Sequence, residues 1–183
     1  MELIKKIKSV WDAAGLKLYL RPYDILAIGN NSGYLEFVPD TISLHAVKKQ
    51  TPYSLLEFYQ ATWGGDFEEA QKNFVESMAG YSIVCYLLNI KDRHNANILI
   101  DRKGHIVHID FGFMFTNSPG GNINFESAPF KLTLEMAELM GGLEGEMFNY
   151  YKMLMVQGLL EIRKEMDYVI NLVELMLPGT GYS

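Results

Sequence analysis

Apolar and polar positions follow two different patterns along the chain, and residue 41 separates them. Before that position, an amphipathic helix is predicted by apolar residues at helical spacing, namely Leu3, Ile4, Ile7, Val10 and Trp11. Gly15 is expected to end the helix. Two short apolar runs, residues 23–29 and 34–38, flank the turn residues 30–33 and predict a β-hairpin. Pro39 is expected to stop its second strand, because proline has no N–H to donate.

From residue 41 onward the periodicity is helical, with one interruption. Helices are predicted over residues 54–59, 67–90, 132–140, 147–160 and 164–177. The long helix 67–90 has one recurring apolar face, made of Ala70, Phe74, Met78, Tyr81 and Cys85. The interruption is a second hairpin, predicted from runs 98–101 and 105–109 around the turn 102–104. The pattern therefore predicts an α+β protein with a small β-hairpin and helix followed by a mostly helical part.

Composition narrows the class of protein. With 183 residues and 49% hydrophobic residues, the chain can bury the core of one compact domain. The net charge of −6 argues against a nucleic-acid binder. Cys85 is the single cysteine of the sequence and is expected to be a buried, reduced thiol. No apolar run reaches the roughly 18 residues needed to span a bilayer, so we expect any action on a lipid to take place from the membrane surface.

The candidate chemistry lies in one stretch, residues 92–112, which reads DRHNANILIDRKGHIVHIDFG. The predicted hairpin would bring Asn97 and Asp110 side by side at its open end. An amide oxygen and a carboxylate at one point suit Mg²⁺, which also takes substrate phosphates and keeps several waters. Asp92 and His94 are placed to meet an attacking hydroxyl. These are the parts that phosphoryl transfer requires.

At this point the sequence resembles a known family. An Asp-Arg-His-Asn-x-Asn loop followed by Asp-Phe-Gly is similar to the catalytic core of the phosphoinositide 3- and 4-kinases. Within that family, four ordered segments look most like the beta type of phosphatidylinositol 4-kinases. They are SLHAVKKQ (43–50), AGYSIVCYLLNIKDRHNANIL (79–99), GHIVHIDFGFMF (104–115) and FNYYKMLMVQGLLEIRKEMD (148–167).

The resemblance implies a protein-kinase-like, lipid kinase fold. Residues 1–40 would be the end of the N-lobe and the hinge, and residues 41–183 the C-lobe. The C-lobe would contain a catalytic loop (92–97) and an activation loop (110–131). The family's phosphate-covering Gly-rich loop and its ATP-binding lysine align before Met1, and relatives continue beyond Ser183. We therefore expect a chain truncated at both ends that has little or no activity alone.

The resemblance also implies roles for individual residues. ATP would bind at Tyr23, Glu36, Val38, Leu99 and Ile109. Asn97 and Asp110 would hold Mg²⁺ or Mn²⁺, and either Asp92 or His94 would receive the proton of the substrate hydroxyl. Arg93, counted among the catalytic residues, would pair with a carboxylate or with the phosphates, and a purely structural pairing is the alternative. The residues alone leave another interpretation open, in which the apolar members of the nucleotide set face an ordinary core.

The activation loop of the family faces the lipid headgroup, which here involves Phe111, Gly112 and Lys131. The loop has no Lys or Arg before Lys131, and this favours phosphatidylinositol without further phosphates, because extra phosphates need cations. The implied activity is transfer of the γ-phosphoryl group of ATP to the 4-hydroxyl of phosphatidylinositol. The expected location is cytoplasmic and peripheral on endomembranes, with the Golgi implied by the family. A catalytically silent binding module and a related protein kinase are the alternatives.

Overall fold

The computed structural model describes residues 1–29, 32–115 and 128–176. Helices account for most of the described residues, and two small antiparallel sheets accompany them, so the predicted α+β class is confirmed. One sheet has two strands near the amino terminus, and the other has three strands and lies against the central helices.

The first helix, α1 (Glu2–Ala13), packs its apolar face on the carboxyl-terminal helices of the chain. Its buried residues are Leu3, Ile4, Ile7 and Trp11. The indole N–H of Trp11 donates to the carbonyl oxygen of Gly158 at 3.0 Å, which anchors the helix across 147 residues of sequence. Gly15 follows with φ of 69°, a left-handed conformation typical of the residue just after a helix. The predicted helix and its end are confirmed.

The first hairpin pairs β1 (Ile25–Gly29) with β2 (Ser32–Leu35). The predicted bounds of the second strand were wrong, because Gly33 already pairs with Ala27 and the strand ends four residues before Pro39. Proline therefore does not terminate this strand. The turn residues Asn30 and Asn31 lie outside the described residues.

A short strand, β3 (Thr41–Ser43), was predicted as the beginning of a helical region, and that prediction was wrong. It forms the edge of the second sheet and pairs antiparallel with β4 (Ile98–Asp101), which in turn pairs with β5 (Ile106–His108). Three residues are too few to show a periodicity, and the pairing partner lies more than fifty residues away in sequence. Helix α2 (Leu44–Gln50) starts immediately afterwards, with the Ser43 hydroxyl accepting from the amide of Ala46.

The helical part is built around α4 (Phe67–Leu87), whose predicted apolar face is buried at all five positions, Cys85 included. It ends three residues earlier than predicted. The other helices are α3 (Leu55–Trp63), α5 (Leu134–Leu139), α6 (Glu146–Lys164) and α7 (Met166–Met176). Thr133 caps α5 as expected, its hydroxyl accepting from the amide of Met136. Residue 177, included in the last predicted helix, lies outside the described residues. Within the ranges that the structure describes, no helix has the length and apolarity to cross a membrane.

The closed end of the β4–β5 hairpin is held by side chains of α3 and α4. Tyr59 donates to the carbonyl oxygen of Gly104 at 2.8 Å, Trp63 donates to that of Arg102 at 3.0 Å, and Asn73 donates to that of Lys103 at 2.8 Å. Gly104 has φ of 87° and packs on α4. With its turn held in this way, the hairpin presents its open end, which carries Asn97 and Asp110, on the opposite side.

Candidate active site

The loop that follows α4 carries three of the predicted catalytic residues. Asp92 has φ of 62°, an uncommon conformation for a residue with a side chain, and His94 donates its amide N–H to the Asp92 carbonyl at 3.2 Å. The two side chains approach each other, with His94 Nε2 3.8 Å from Asp92 Oδ2. Both are open to solvent, at 54% and 33% exposure. The loop is attached to the amino end of α2, where the His45 N–H donates to the Asn95 carbonyl at 2.9 Å.

The imidazole of His94 has a polar group near each of its nitrogens. The amide of Ala96 donates to Nδ1 at 3.2 Å, and Asn97 Nδ2 lies 3.3 Å from Nε2. A neutral imidazole has one nitrogen that accepts and one that donates. With a hydrogen on Nδ1, Nε2 would be free to accept a proton beside Asp92. With Nδ1 accepting from Ala96, Nε2 would instead donate. The structure therefore puts an imidazole and a carboxylate next to each other on an exposed loop.

The two predicted metal ligands lie at the open end of the β4–β5 hairpin. The amide of Ile109, the residue before Asp110, donates to the Asn97 carbonyl at 3.0 Å, so the two residues are neighbours across the strands. The Asn97 side chain is buried, and its Nδ2 donates to the Asp92 carbonyl at 2.6 Å. Its Oδ1 is buried without a hydrogen-bond partner in the described part of the chain. Asp110 is exposed.

An unpartnered buried amide oxygen beside an exposed carboxylate fits a divalent cation. Leaving Asn97 Oδ1 unsatisfied costs roughly 1–3 kcal/mol, and a hard cation would satisfy it. Residues 1–29, 32–115 and 128–176 contain no group of three or more His, Cys, Asp and Glu side chains that could hold a metal ion. Mg²⁺ does not need one, since it is usually held by one or two protein oxygens, waters and substrate phosphates.

Arg93, predicted as a catalytic residue, is buried at 6% exposure between these two segments. Its guanidinium donates to the carbonyl oxygens of Lys91 at 3.2 Å, of Ile109 at 2.8 Å and of Asp110. Burial lowers the pKa of Arg93, and the nearby carboxylates of Asp110 and Asp92 partly offset this. Its hydrogen bonds go to backbone oxygens, so the structure gives it a place in holding the loop together. Its pairing with phosphates stays a prediction.

A cleft of about 890 Å³ opens beside Asp110. All five residues predicted to bind the nucleotide lie in its wall: Tyr23, Glu36, Val38, Leu99 and Ile109. The wall is mostly apolar, as expected for a site that takes a flat base. Asp92, His94 and Asn97 are not part of this wall. Asp110, one of the two predicted metal ligands, therefore lies in the wall of the apolar cleft.

Some residues of the cleft wall were not predicted from the sequence. They include Leu3 and Ile4 of α1, Thr41 and Ser43 of β3, and Leu88 and Ile90 just before the catalytic loop. The apolar face of α1 was recognised, but a periodicity does not tell which cavity a face lines. Leu88 and Ile90 could have been inferred from their position directly before Asp92. Residues Thr41 and Ser43 could not, since their strand was not predicted.

Two members of the nucleotide set make defined polar contacts. The Glu36 carboxylate accepts from Arg21 at 2.6 Å and from the amide of Asp24 at 2.8 Å, and these bonds lower the pKa of Glu36. Tyr23 is buried at 6% exposure, and its hydroxyl oxygen accepts from the amide of Asp110 at 3.3 Å. Burial raises the pKa of Tyr23, so the hydroxyl stays neutral.

The residues predicted to face the lipid come before and after residues 116–127 of the chain. Phe111 stacks on Tyr23 with ring centroids 6.2 Å apart, and the amide of Gly112 donates to Asp110 Oδ1 at 3.3 Å. Lys131 donates to Asn95 Oδ1 at 2.8 Å, which brings the end of the predicted activation loop to the catalytic loop. Residues 116–127 of that loop lie outside the described residues.

Known proteins are similar to this chain in sequence. The pattern of the family "Phosphatidylinositol 3- and 4-kinase" matches residues 46–180. A phosphatidylinositol 4-kinase of Dictyostelium discoideum is 54% identical over 100% of this chain and 16% of its own length. Phosphatidylinositol 4-kinase beta of Xenopus tropicalis is 51% identical, over 98% of this chain and 23% of its own length, and that of Homo sapiens is 50% identical, over 98% and 22%.

The chain spans about a fifth of the length of the curated relatives that it matches. The family match covers well over half of the chain, and it includes every predicted catalytic and metal-binding residue. The resemblance inferred from the Asp-Arg-His and Asp-Phe-Gly segments is therefore confirmed. The chain belongs to the phosphatidylinositol 3- and 4-kinase family.

Proposed function

We propose that the protein transfers the γ-phosphoryl group of ATP to the 4-hydroxyl of phosphatidylinositol. The observation that carries this proposal is the unpartnered buried Oδ1 of Asn97, a residue that neighbours Asp110 at the open end of the β4–β5 hairpin, where Asp110 lines an apolar cleft of about 890 Å³. The relatives' names specify the 4-kinase branch of the family. The protein would act peripherally on cytoplasmic faces of endomembranes, with the Golgi as the proposed organelle.

In this proposal the adenine base lies in the apolar part of the cleft, against Val38, Leu99 and Ile109. The phosphates extend toward Asp110. A divalent cation, Mg²⁺ or Mn²⁺, when bound, would neutralise the phosphate charge there. Asn97 Oδ1 and the Asp110 carboxylate would hold it, because their oxygens are the available hard ligands at this point.

The lipid headgroup would approach from the exposed side of the catalytic loop. Its 4-hydroxyl meets the pair formed by His94 and Asp92, where Asp92 orients the hydroxyl and His94 Nε2 receives its proton. Lys131, held at the catalytic loop by Asn95, supplies positive charge near the lipid phosphate. Arg93 stays in the interior and keeps the loop and the Asp110 segment together.

The direct test measures transfer from γ-labelled ATP to phosphatidylinositol vesicles with Mg²⁺. The assay uses the chain itself and the Dictyostelium relative in which residues 1–183 replace the aligned segment. Product carrying phosphate at the 4-position, identified by chromatography of the deacylated headgroup, supports the proposal. Labelling of a protein acceptor without lipid product would indicate a protein kinase. ATP binding by the chimaera without transfer to either acceptor would indicate a binding module, whereas little or no transfer is expected from the chain alone.

Two matched pairs of variants test the assigned residues. Asp110→Asn should lower the rate at least roughly 100-fold, because it removes a charged ligand at the phosphates. The control Asp167→Asn changes an exposed carboxylate of α7 and should leave the rate as it is.

His94→Ala should abolish the acidic limb of the rate profile against pH, whereas His45→Ala, on the exposed side of α2, should retain it. An unchanged profile in His94→Ala, together with loss of the limb in Asp92→Ala, would assign the proton to Asp92 instead.

A further inference from the structure

The backbone of Asp110 is held by side chains from two distant segments. Its N–H donates to the hydroxyl oxygen of Tyr23, 87 residues earlier in the sequence, at 3.3 Å. Its carbonyl oxygen accepts from Arg93, 17 residues earlier. We propose that Tyr23 and Arg93 are positioning residues that clamp the backbone of Asp110 on both sides of its Cα and so aim the Asp110 carboxylate at the metal site. The inference rests on the proposed function and adds to it two residues that act through Asp110 and not on the substrate directly.

The conformation of Asp110 explains why a clamp is needed. Its φ is 58°, in the left-handed region, where a residue with a side chain is strained by roughly 1–2 kcal/mol. Such a conformation persists only if the surroundings enforce it. A relaxed backbone would redirect the carboxylate, since the side chain follows the rotation about φ.

The segments on either side of Asp110 are also held by hydrogen bonds between backbone atoms. The amide of Ile109 donates to the Asn97 carbonyl at 3.0 Å, and the amide of Lys91 donates to the Phe113 carbonyl at 2.9 Å. The segment is thus anchored before and after Asp110. At Asp110 the partners of both the N–H and the carbonyl oxygen are side-chain atoms. Substitution of Tyr23 can therefore loosen the Asp110 N–H and leave these backbone hydrogen bonds in place.

The two clamping side chains are themselves fixed. Arg93 is 6% exposed, it also binds the carbonyls of Lys91 and Ile109, and its guanidinium carbon lies 5.4 Å from the centre of the Phe111 ring. Tyr23 is 6% exposed and stacks on the same ring. Phe111 therefore lies against both, so the clamp encloses the residue after the metal ligand as well. Tyr23 also lines the nucleotide cleft, which places the cleft wall and the metal ligand in direct contact.

Hydrogen exchange of the Asp110 amide tests the clamp without any need for catalysis. Tyr23→Phe removes the acceptor and keeps the ring, so the Asp110 amide should exchange about 3- to 10-fold faster, the effect of one hydrogen bond. The Ile109 amide is the internal control and should be unchanged. Tyr34→Phe, at an exposed position of β2, is the matched variant and should change neither. Equal exchange at Asp110 in parent and Tyr23→Phe protein would overturn the proposal, as would an equal rise at Ile109.

The second readout separates positioning from simple contact with the nucleotide. In the chimaeric enzyme, Tyr23→Phe should raise the Mg²⁺ concentration for half-maximal rate roughly fivefold and change the KM for ATP less. A rise in the KM for ATP alone would mean that Tyr23 only lines the pocket, and would overturn its positioning role. A chimaera without lipid kinase activity would contradict the proposed function, while the exchange result would still decide the clamp.

Arg93→Lys tests the other half of the clamp. Lysine keeps the charge but cannot reach three carbonyls with one ammonium, so faster exchange at Asp110 is expected here too. The control is Arg102→Lys, whose parent side chain is 78% exposed and pairs with Asp40. If Arg93→Lys does not fold, Tyr23→Phe carries the test. If it folds with the parent's exchange rate at Asp110, Arg93 has no part in the clamp.

Discussion

The two hairpins of this protein look alike in sequence and differ completely in their surroundings. Both were predicted from apolar runs around turn residues, and both pair antiparallel. Every residue of β1 and β2 is exposed, whereas all of β5 and half of β4 are buried. The first hairpin contributes one wall of the cleft, with Ile25 and Leu35. The second hairpin holds both proposed metal ligands at its open end.

The reason lies in what covers each hairpin. Three side chains of α3 and α4 bind the turn of the second hairpin, and β3 pairs with its outer edge. In the described part of the chain, no helix covers the first hairpin, and Ile28 remains 58% exposed. Metal ligands need a rigid support, and the second hairpin provides one. The same local pattern thus gives a scaffold in one place and an open wall in the other.

Removal of apolar side chains should show the largest contrast. Ile106→Ala, at a position with 0% exposure, is expected to lower the free energy of unfolding by about 2–5 kcal/mol through lost burial and a cavity. Ile28→Ala, the same substitution in the exposed hairpin, should change it by no more than about 0.5 kcal/mol. Urea denaturation of both variants measures the difference, and equal losses would refute the contrast.

Substitution of one glycine in each hairpin tests how strongly the fold depends on the backbone of that hairpin. A Cβ on Gly104 would lie 2.8 Å from the Ala70 carbonyl oxygen, at φ of 87°, and one on Gly33 would lie 2.7 Å from the Leu26 carbonyl oxygen. Gly104→Ala should destabilise the whole fold by about 2–3 kcal/mol, since strain and overlap add.

Gly33→Ala should open only β1–β2, because the described core does not depend on that hairpin. In this variant, hydrogen exchange should become faster only within residues 25–35, and the global stability should equal that of the parent protein. A global loss comparable to that of Gly104→Ala would mean that the first hairpin supports the core after all.

The hydrogen bond to the buried turn gives an intermediate effect. Tyr59→Phe leaves the Gly104 carbonyl without its 2.8 Å donor in the interior, which should cost about 1–2 kcal/mol of stability. Tyr34→Phe removes a hydroxyl that is open to solvent in β2 and should cost next to nothing. Thermal denaturation of the two variants measures the difference. If Tyr59→Phe loses no more stability than Tyr34→Phe, the turn is held in another way.

Alkaline pH should lower the stability of the folded protein through the buried Tyr151, by less than the substitutions above. Burial raises the pKa of Tyr151 from 10.0 to about 12, and its hydroxyl donates to Ser82 at 3.0 Å. Above pH 10 the unfolded chain loses this proton and the folded protein keeps it, so stability falls as pH rises toward 12. The slope from this residue reaches at most about 1.4 kcal/mol per pH unit.

In Tyr151→Phe the slope of stability against pH between 10 and 11 should therefore be shallower, although the variant starts less stable at neutral pH. Tyr34→Phe should retain the slope of the parent protein. Urea denaturation at pH 9, 10 and 11 provides the measurement. An unchanged slope in Tyr151→Phe would mean that the residue ionises alike in both states.

Much of the architecture follows from local patterns that the sequence contains. The apolar periodicity of α1 and α4, the Thr133 cap and the turn ending at Gly104 were all predicted from neighbouring residues. The ordered set Asp92, His94, Asn97 and Asp110 was recognised in the same way, because its members lie within 19 residues and one hairpin connects them. Local signals of this kind depend on side-chain spacing, which a sequence states directly.

The tertiary structure alone decided the remaining features. Strand β3 exists because it meets β4, which is far away in sequence, and three residues have no period to read. The difference in burial between the hairpins depends on α3 and α4, and the clamp on Asp110 depends on Tyr23 reaching across 87 residues. Such contacts form when distant segments pack together, and their energies come from burial and from hydrogen bonds between partners that no short window of sequence contains.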